Sequence, residues 1–175
     1  MKKTKIILIV IASLVALCVG GCFLAKNRYD YMMKQTIADV QILNEKSDLD
    51  GCSLLDSLPN ASYHPRYLAD GVSRYFYSEN VAGAFISEIY IKSSEYHVFG
   101  IRVGDDLSTV NEILKNEGFT KRRVLPPSSK EYPITRFRKH YLEVYFYVDP
   151  DKDNSTITKI GISVDVPRSW KLRGP

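Results

Sequence analysis

Two stretches of this chain repeat one another, and the repeat restricts the fold more than any other feature. RYLADGVSRYFYSE, residues 66–79, lies over RFRKHYLEVYFYVD, residues 136–149, at an offset of 70. Arg66 falls on Arg136, Tyr67 on Phe137, Val72 on Leu142, and Tyr75-Phe76-Tyr77 on Tyr145-Phe146-Tyr147. Next, ISEIYIKSS, residues 86–94, lies over ITKIGISVD, residues 157–165, at an offset of 71. One residue is therefore inserted between the two aligned runs, where a loop accepts length changes that strands do not. β-Branched and aromatic residues at alternate positions predict strands, and each copy reads as a strand meander.

This alignment decides how to read DPDKDN, residues 149–154. Asp149, Asp151 and Asp153 are spaced like the start of a calcium loop. The sixth position would be Asn154 rather than Gly, and the twelfth is Ile160, where a bidentate Glu is needed. The first copy spans the same place with SENVAGA, residues 78–84. Both segments read as turns between antiparallel strands, and no metal is expected.

The second copy also predicts a helix within VGDDLSTVNEILKNEGF, residues 103–119. Asp106 or Ser108 can cap its first turn, with Glu112 three residues after Thr109. Leu107, Val110, Ile113 and Leu114 form one apolar face, and Gly118 ends the helix. Strands are expected at 121–125, 135–139, 142–148 and 156–164, with PPSSKEYP, residues 126–133, as a loop. The first copy predicts a weaker helix at 53–58, then strands at 63–68, 72–78 and 85–91. HVFGIRVG, residues 97–104, reads as one further strand opening the second copy.

The N-terminus begins MKKTK and continues with 20 uncharged residues, 6–25. At 1.5 Å per residue they reach about 30 Å, the thickness of a bilayer core. Lys2, Lys3 and Lys5 favour a cytoplasmic N-terminus and an extracytoplasmic remainder. The segment reads as a signal anchor. A second reading is a lipoprotein signal peptide, because VGGC, residues 19–22, resembles a lipobox with Cys22 as the acylated residue. Cys18 and the apolar Phe23-Leu24-Ala25 depart from that pattern. A secreted, released form is the third reading. After it, Tyr29, Met33, Ile37, Val40 and Leu43 recur at helical spacing, as a stalk or as a first helix packed on the domain.

The expected architecture is thus α+β: two tandem small modules, each a helix packed on an antiparallel β-meander, after an N-terminal membrane-anchoring helix. The boundaries are 1–25 for the anchor or signal peptide, 26–47 for the helical stalk or first helix, 48–97 and 98–166 for the repeats, and 167–175 for the tail.

Catalytic material is sparse. His64, His97 and His140 are the three histidines, and His140 falls in a hairpin turn, RKHY. No HExxH, GxSxG, paired Cys or Gly-rich phosphate loop occurs, so no catalytic residue and no cofactor is assigned. Cys52 stands alone outside the apolar segment and reads as a core thiol. Charge is uneven. Residues 26–100 hold seven basic and ten acidic residues, and residues 101–175 hold fourteen and ten. Lys121, Arg122, Arg123, Arg136, Arg138 and Lys139 lie on neighbouring strands and are expected to share one face toward an anionic partner. The tail VPRSWKLRGP, residues 166–175, reads as a frayed end or as a basic-aromatic membrane contact.

Val103, Gly104, the capped helix with Ser108, Val110, Ile113 and Leu114, and the closing Gly118-Phe119 lead into a meander. In this order the second copy resembles the tandem modules of β-lactamase inhibitor proteins and of the small lipoproteins of outer-membrane assembly. The resemblance covers 98–164 well and 51–94 poorly. It implies a protein-binding module without catalysis, accessory or inhibitory, and transfers no binding residue. The inhibitor proteins carry disulfides that this chain has no cysteine pair to form. The expected function is a membrane-anchored extracytoplasmic protein-binding module at a bacterial cell envelope, held by residues 6–25 or by lipid on Cys22. An electrostatic binder of anionic lipid or cell-wall polymer is the alternative, and an uncharacterised envelope hydrolase the second. Nucleic acid is not an expected partner in that compartment.

Overall fold

The computed structural model describes residues 2–58, 66–68, 72–79, 83–122, 135–149 and 155–165, with side chains described at 13–15, 17–56, 85–122, 135–149 and 155–165. The chain is α+β, an N-terminal helix followed by an antiparallel sheet. Two compact units are present, Met1–Gln35 and Thr36–Pro175. The first is the leading part of helix α1, Lys2–Glu45. Among the described residues no helix is long and apolar enough to cross a membrane. Most of the expected anchor's first half, residues 6–12, falls outside the described side chains. Leu14, Val15, Leu17, Val19, Phe23 and Leu24 are all exposed, Leu17 at 73%.

The second unit holds the sheet. Its strands are β1 (Ser57–Leu58), β2 (Arg66–Leu68), β3 (Val72–Glu79), β4 (Gly83–Ile91), β7 (Thr120–Arg122), β8 (Thr135–Lys139), β9 (Leu142–Val148) and β10 (Ile157–Val164). β5 (His97–Val98) and β6 (Ile101–Arg102) form a separate ribbon. The order across the sheet is β2-β3-β4-β10-β9-β8-β7, with β1 also on β4. Every pairing is antiparallel, so two meanders meet at the β4–β10 seam.

The pattern Ile-x-x-Ile-x-Ile shapes both seam strands, as Ile86, Ile89, Ile91 and as Ile157, Ile160, Ile162. All six are at most 1% exposed. Three apolar residues spaced three and then two cannot share one face of a regular strand, whose side chains alternate. Each strand therefore carries one extra residue, Ser87 in β4 and Thr158 in β10, which shifts the ladder by one rung. The two bulges are equivalent under the 71-residue offset. The Tyr-Phe-Tyr triplets are not. Tyr75 opposes Glu88, whereas Lys159, the equivalent of Glu88, is opposed by Tyr147 rather than Tyr145. The alignment of the triplets is slipped by two residues, which preserves the face and so leaves no trace in the hydrophobic pattern. Between equivalent rungs the second connection, 149–156, is one residue shorter than the first, 77–85, not one longer.

One sheet face forms the core with Phe137, Leu142, Val144, Phe146, Ile89, Ile91, Ile160 and Ile162, each at most 1% exposed. Helix α2, Leu107–Asn116, adds Val110 and Leu114, and the end of α1 adds Val40 and Leu43. Asp106 caps α2 by accepting from the Ser108 N–H at 2.7 Å. Gly118, at φ 84°, closes it: Phe119 N–H donates to Leu114 and Gly118 N–H to Lys115. Cys52 is buried, and its thiol donates to the Asp50 carbonyl at 3.5 Å.

Two expected elements differ. Residues 53–58 form a turn and β1 rather than a helix, because β4 takes their backbone groups. Leu55 N–H donates to Ile86 and Ile86 N–H to Asp56, with Leu55 at φ 68°. Residues 97–104 form a hairpin rather than one strand. Phe99 and Gly100, at φ 51° and 81°, reverse the chain between β5 and β6. Ser47 Oγ accepts the Phe99 N–H, and the Phe99 ring meets Phe119 edge-on at 5.7 Å, which supports a conformation costly for an aromatic residue. The expected loop at 126–133, the acidic turn at 150–154, His64, Arg123 and the tail lie outside the described residues.

Candidate functional site

The second face of the sheet is polar and aromatic. Strand alternation sends Glu88, Tyr90, Glu143, Tyr145, Tyr147, Lys159 and Ser163 away from the isoleucine face. The register sets Arg122, Arg136, Tyr145, Gly161 and Tyr90 in one row across β7, β8, β9, β10 and β4. Beside it runs a second row of Thr120, Arg138, Glu143, Ser163 and Glu88.

Gly161 opens the row's centre. The Tyr145 ring lies over it, where any Cβ would collide. Around that ring, Tyr90 stands edge-on at 5.9 Å and Tyr147 at 5.9 Å, and the outer two are 6.4 Å apart. Lys159 Nζ lies 3.6 Å from the Tyr147 centroid and 5.0 Å from that of Tyr90, a cation held by two aromatic faces. Tyr145 and Tyr147 are buried, while Tyr90, Glu88, Lys159 and Arg136 are half-buried. Tyr145 Oη donates to Glu88 Oε1. Burial, then the Glu88 carboxylate, pushes the Tyr145 phenol far above its ordinary range. Burial also pushes the Tyr90 phenol up.

The expected basic residues divide between faces. Lys121 opposes Phe137, and Lys139 opposes Leu142, both on the core-side face. Lys139 Nζ passes Gly118, lies 6.0 Å from the Phe119 centroid, and reaches Asp39 at 2.9 Å. Arg122, Arg136 and Arg138 lie on the tyrosine face. Arg138 is occupied: it donates to the His140 carbonyl at 2.7 Å and pairs with Asp165 at 3.3 Å and Glu143 at 3.5 Å. Arg122 is exposed and directly opposite Arg136. The Arg136 guanidinium carbon lies over the Tyr145 ring, 5.7 Å from its centroid. Its Nε is buried without a hydrogen-bond partner. Cys22 and Cys18 are both exposed on α1.

A second polar cluster escaped sequence reading. Asp39, on α1, is buried and meets His140 Nδ1 at 2.6 Å as well as Lys139. His140 sits in the β8–β9 turn at φ 53°, and Thr36 Oγ1 accepts the N–H of Tyr141 at 3.2 Å. The contact joins residues 101 apart in sequence. Its only signal was two polar residues, Thr36 and Asp39, interrupting a helical apolar stripe. Among the described residues no cluster of His, Cys, Asp or Glu is arranged to hold a metal ion. Comparison with protein-family models, with curated proteins and with solved structures gave no match.

Proposed function

We propose that this chain is a membrane-anchored extracytoplasmic module that binds an acidic protein partner through the arginine–tyrosine margin of its second sheet face. The observation that carries this reading is the Arg122–Arg136–Tyr145 row. Arginine is enriched at protein interfaces for its directed donors, and here two arginines stand directly opposite on neighbouring strands, with the buried Tyr145 beside Arg136. A broad electrostatic plane toward lipid or wall polymer is less well supported. Lys121 and Lys139 belong to the other face, and Arg138 and Lys139 are already paired.

The anchor part of the proposal rests on residues 6–25 behind Lys2, Lys3 and Lys5. The exposed apolar side chains of α1 support it, since a helix apolar on several sides needs an apolar environment. Lipid attachment at Cys22 is the alternative form of the same anchor. The shared bulge positions and the Tyr90–Gly161 pairing at the seam, between residues equivalent under the repeat, support two tandem modules fused edge to edge. That arrangement accords with the binding role implied by the inhibitor-protein resemblance.

The test is capture of the full chain from native membranes with washing at low and at high salt, and crosslinking only after the wash to identify what remains. A protein retained through high salt is the expected result, since contacts beyond screened surface charge survive it. Loss of every protein at high salt would contradict the reading. Intact mass of the membrane-extracted chain separates an unmodified anchor from a cleaved, acylated Cys22.

A further inference from the structure

We propose that Arg122 and Arg136 form a bidentate subsite for a single carboxylate side chain of the partner protein. The inference rests on the protein-binding reading and names the group that the face captures. The two guanidinium-bearing residues are directly opposite on β7 and β8, so their side chains share a face. Like charges at such a position destabilise a sheet unless an anion lies between them. Among the described residues neither has an ion-pair partner, whereas their neighbours Arg138 and Lys139 have theirs at 3.3 Å and 2.9 Å.

The chemistry of the site selects a carboxylate. The Arg136 guanidinium lies over the Tyr145 ring, 5.7 Å from its centroid, and its planar fork matches a planar two-oxygen acceptor. Glu88 is engaged by Tyr145 Oη and Glu143 by Arg138, so neither fills this role from within. Lys121, one residue from Arg122 but on the other face, does not contribute. A plane of phosphate headgroups would use all these cations alike; one carboxylate uses two.

The experiment uses the full chain in phosphatidylcholine nanodiscs. A fluorescein-labelled hexaglutamate peptide is titrated and followed by anisotropy, with inorganic phosphate as competitor and phosphatidylglycerol vesicles in a parallel arm. Arg122→Gln and Arg136→Gln should each weaken the peptide by about tenfold, the loss of one charge-assisted pair. Arg122→Lys, which keeps the charge and loses the fork, should weaken it several-fold. Lys121→Gln should leave it unchanged. Arg122 lies on an exposed edge strand, so its variants test the subsite even if Arg136→Gln perturbs folding. Equal weakening by Lys121→Gln would overturn the proposal in favour of diffuse charge. So would arginine variants that lose phosphatidylglycerol vesicles but keep the peptide. A membrane partner retained undiminished by the Arg122→Gln/Arg136→Gln double variant would overturn this subsite alone and leave the protein-binding reading standing.

Discussion

Gly161 and Tyr145 oppose one another across the β9–β10 ladder, and the tyrosine ring occupies the space that a side chain at 161 would need. The equivalent seam residue is Tyr90, so the two halves of the sheet differ where they meet. One ring from β9 covers the gap, and the face on that side is built around it. Gly161→Ala should therefore displace Tyr145 and destabilise the fold by about 1–3 kcal/mol. Denaturant unfolding checks this, and the Gly161→Ala/Tyr145→Ala pair should be strongly non-additive.

Removing the Tyr145 hydroxyl isolates Glu88. Tyr145→Phe should cost about 1 kcal/mol, the scale of one hydrogen bond to a charged acceptor that is only half-buried. The substitution keeps the ring over Gly161, so unfolding should stay cooperative and the loss should be smaller than for Tyr145→Ala.

The raised phenols make stability fall in alkali. An unfolded tyrosine ionises near pH 10. Tyr145 and Tyr90 hold their protons to higher pH in the folded chain, chiefly through burial. Their contribution is complete below the unfolded value and is lost as pH rises above it, because the unfolded state then releases protons that the folded state retains. Spectrophotometric titration should show these two tyrosines silent at pH 10–11, and unfolding free energy should decline across that interval. Tyr145→Phe should flatten the decline.

Asp39 ties the end of α1 to the β8–β9 turn. Asp39→Ala should cost about 1–3 kcal/mol, since Lys139 and His140 lose their acceptor in a largely buried place. Thermal unfolding at neutral pH checks the value. Combining it with Lys139→Met should recover part of the loss, because the apolar stem keeps its contact with Phe119.

Much of the sheet was legible in the sequence. Thr135–Lys139 and Leu142–Val148 follow from alternation around a short polar turn, and α2 follows from its Asp cap and closing Gly118. What was not legible depended on distant partners. Leu55 and Ser57 read as helical until β4 claims their backbone groups. Phe99 carries no local sign of a positive φ, which Ser47 and Phe119 support from elsewhere. The basic cluster was visible as composition. Its division between faces was not, because Lys121 and Arg122 differ only by the one-residue step that strand alternation turns into opposite directions.

That one-residue step provides the most direct test of the account. A photo-crosslinking residue is placed at position 120, which shares the face of Arg122 and leaves both arginines in place, and in another variant at 121, each in the full chain in native membranes. A partner on the arginine–tyrosine face predicts a discrete protein adduct from 120 and none from 121. Equal adducts from both positions, or an adduct from 121 alone, would contradict the assignment of the partner to the arginine–tyrosine face.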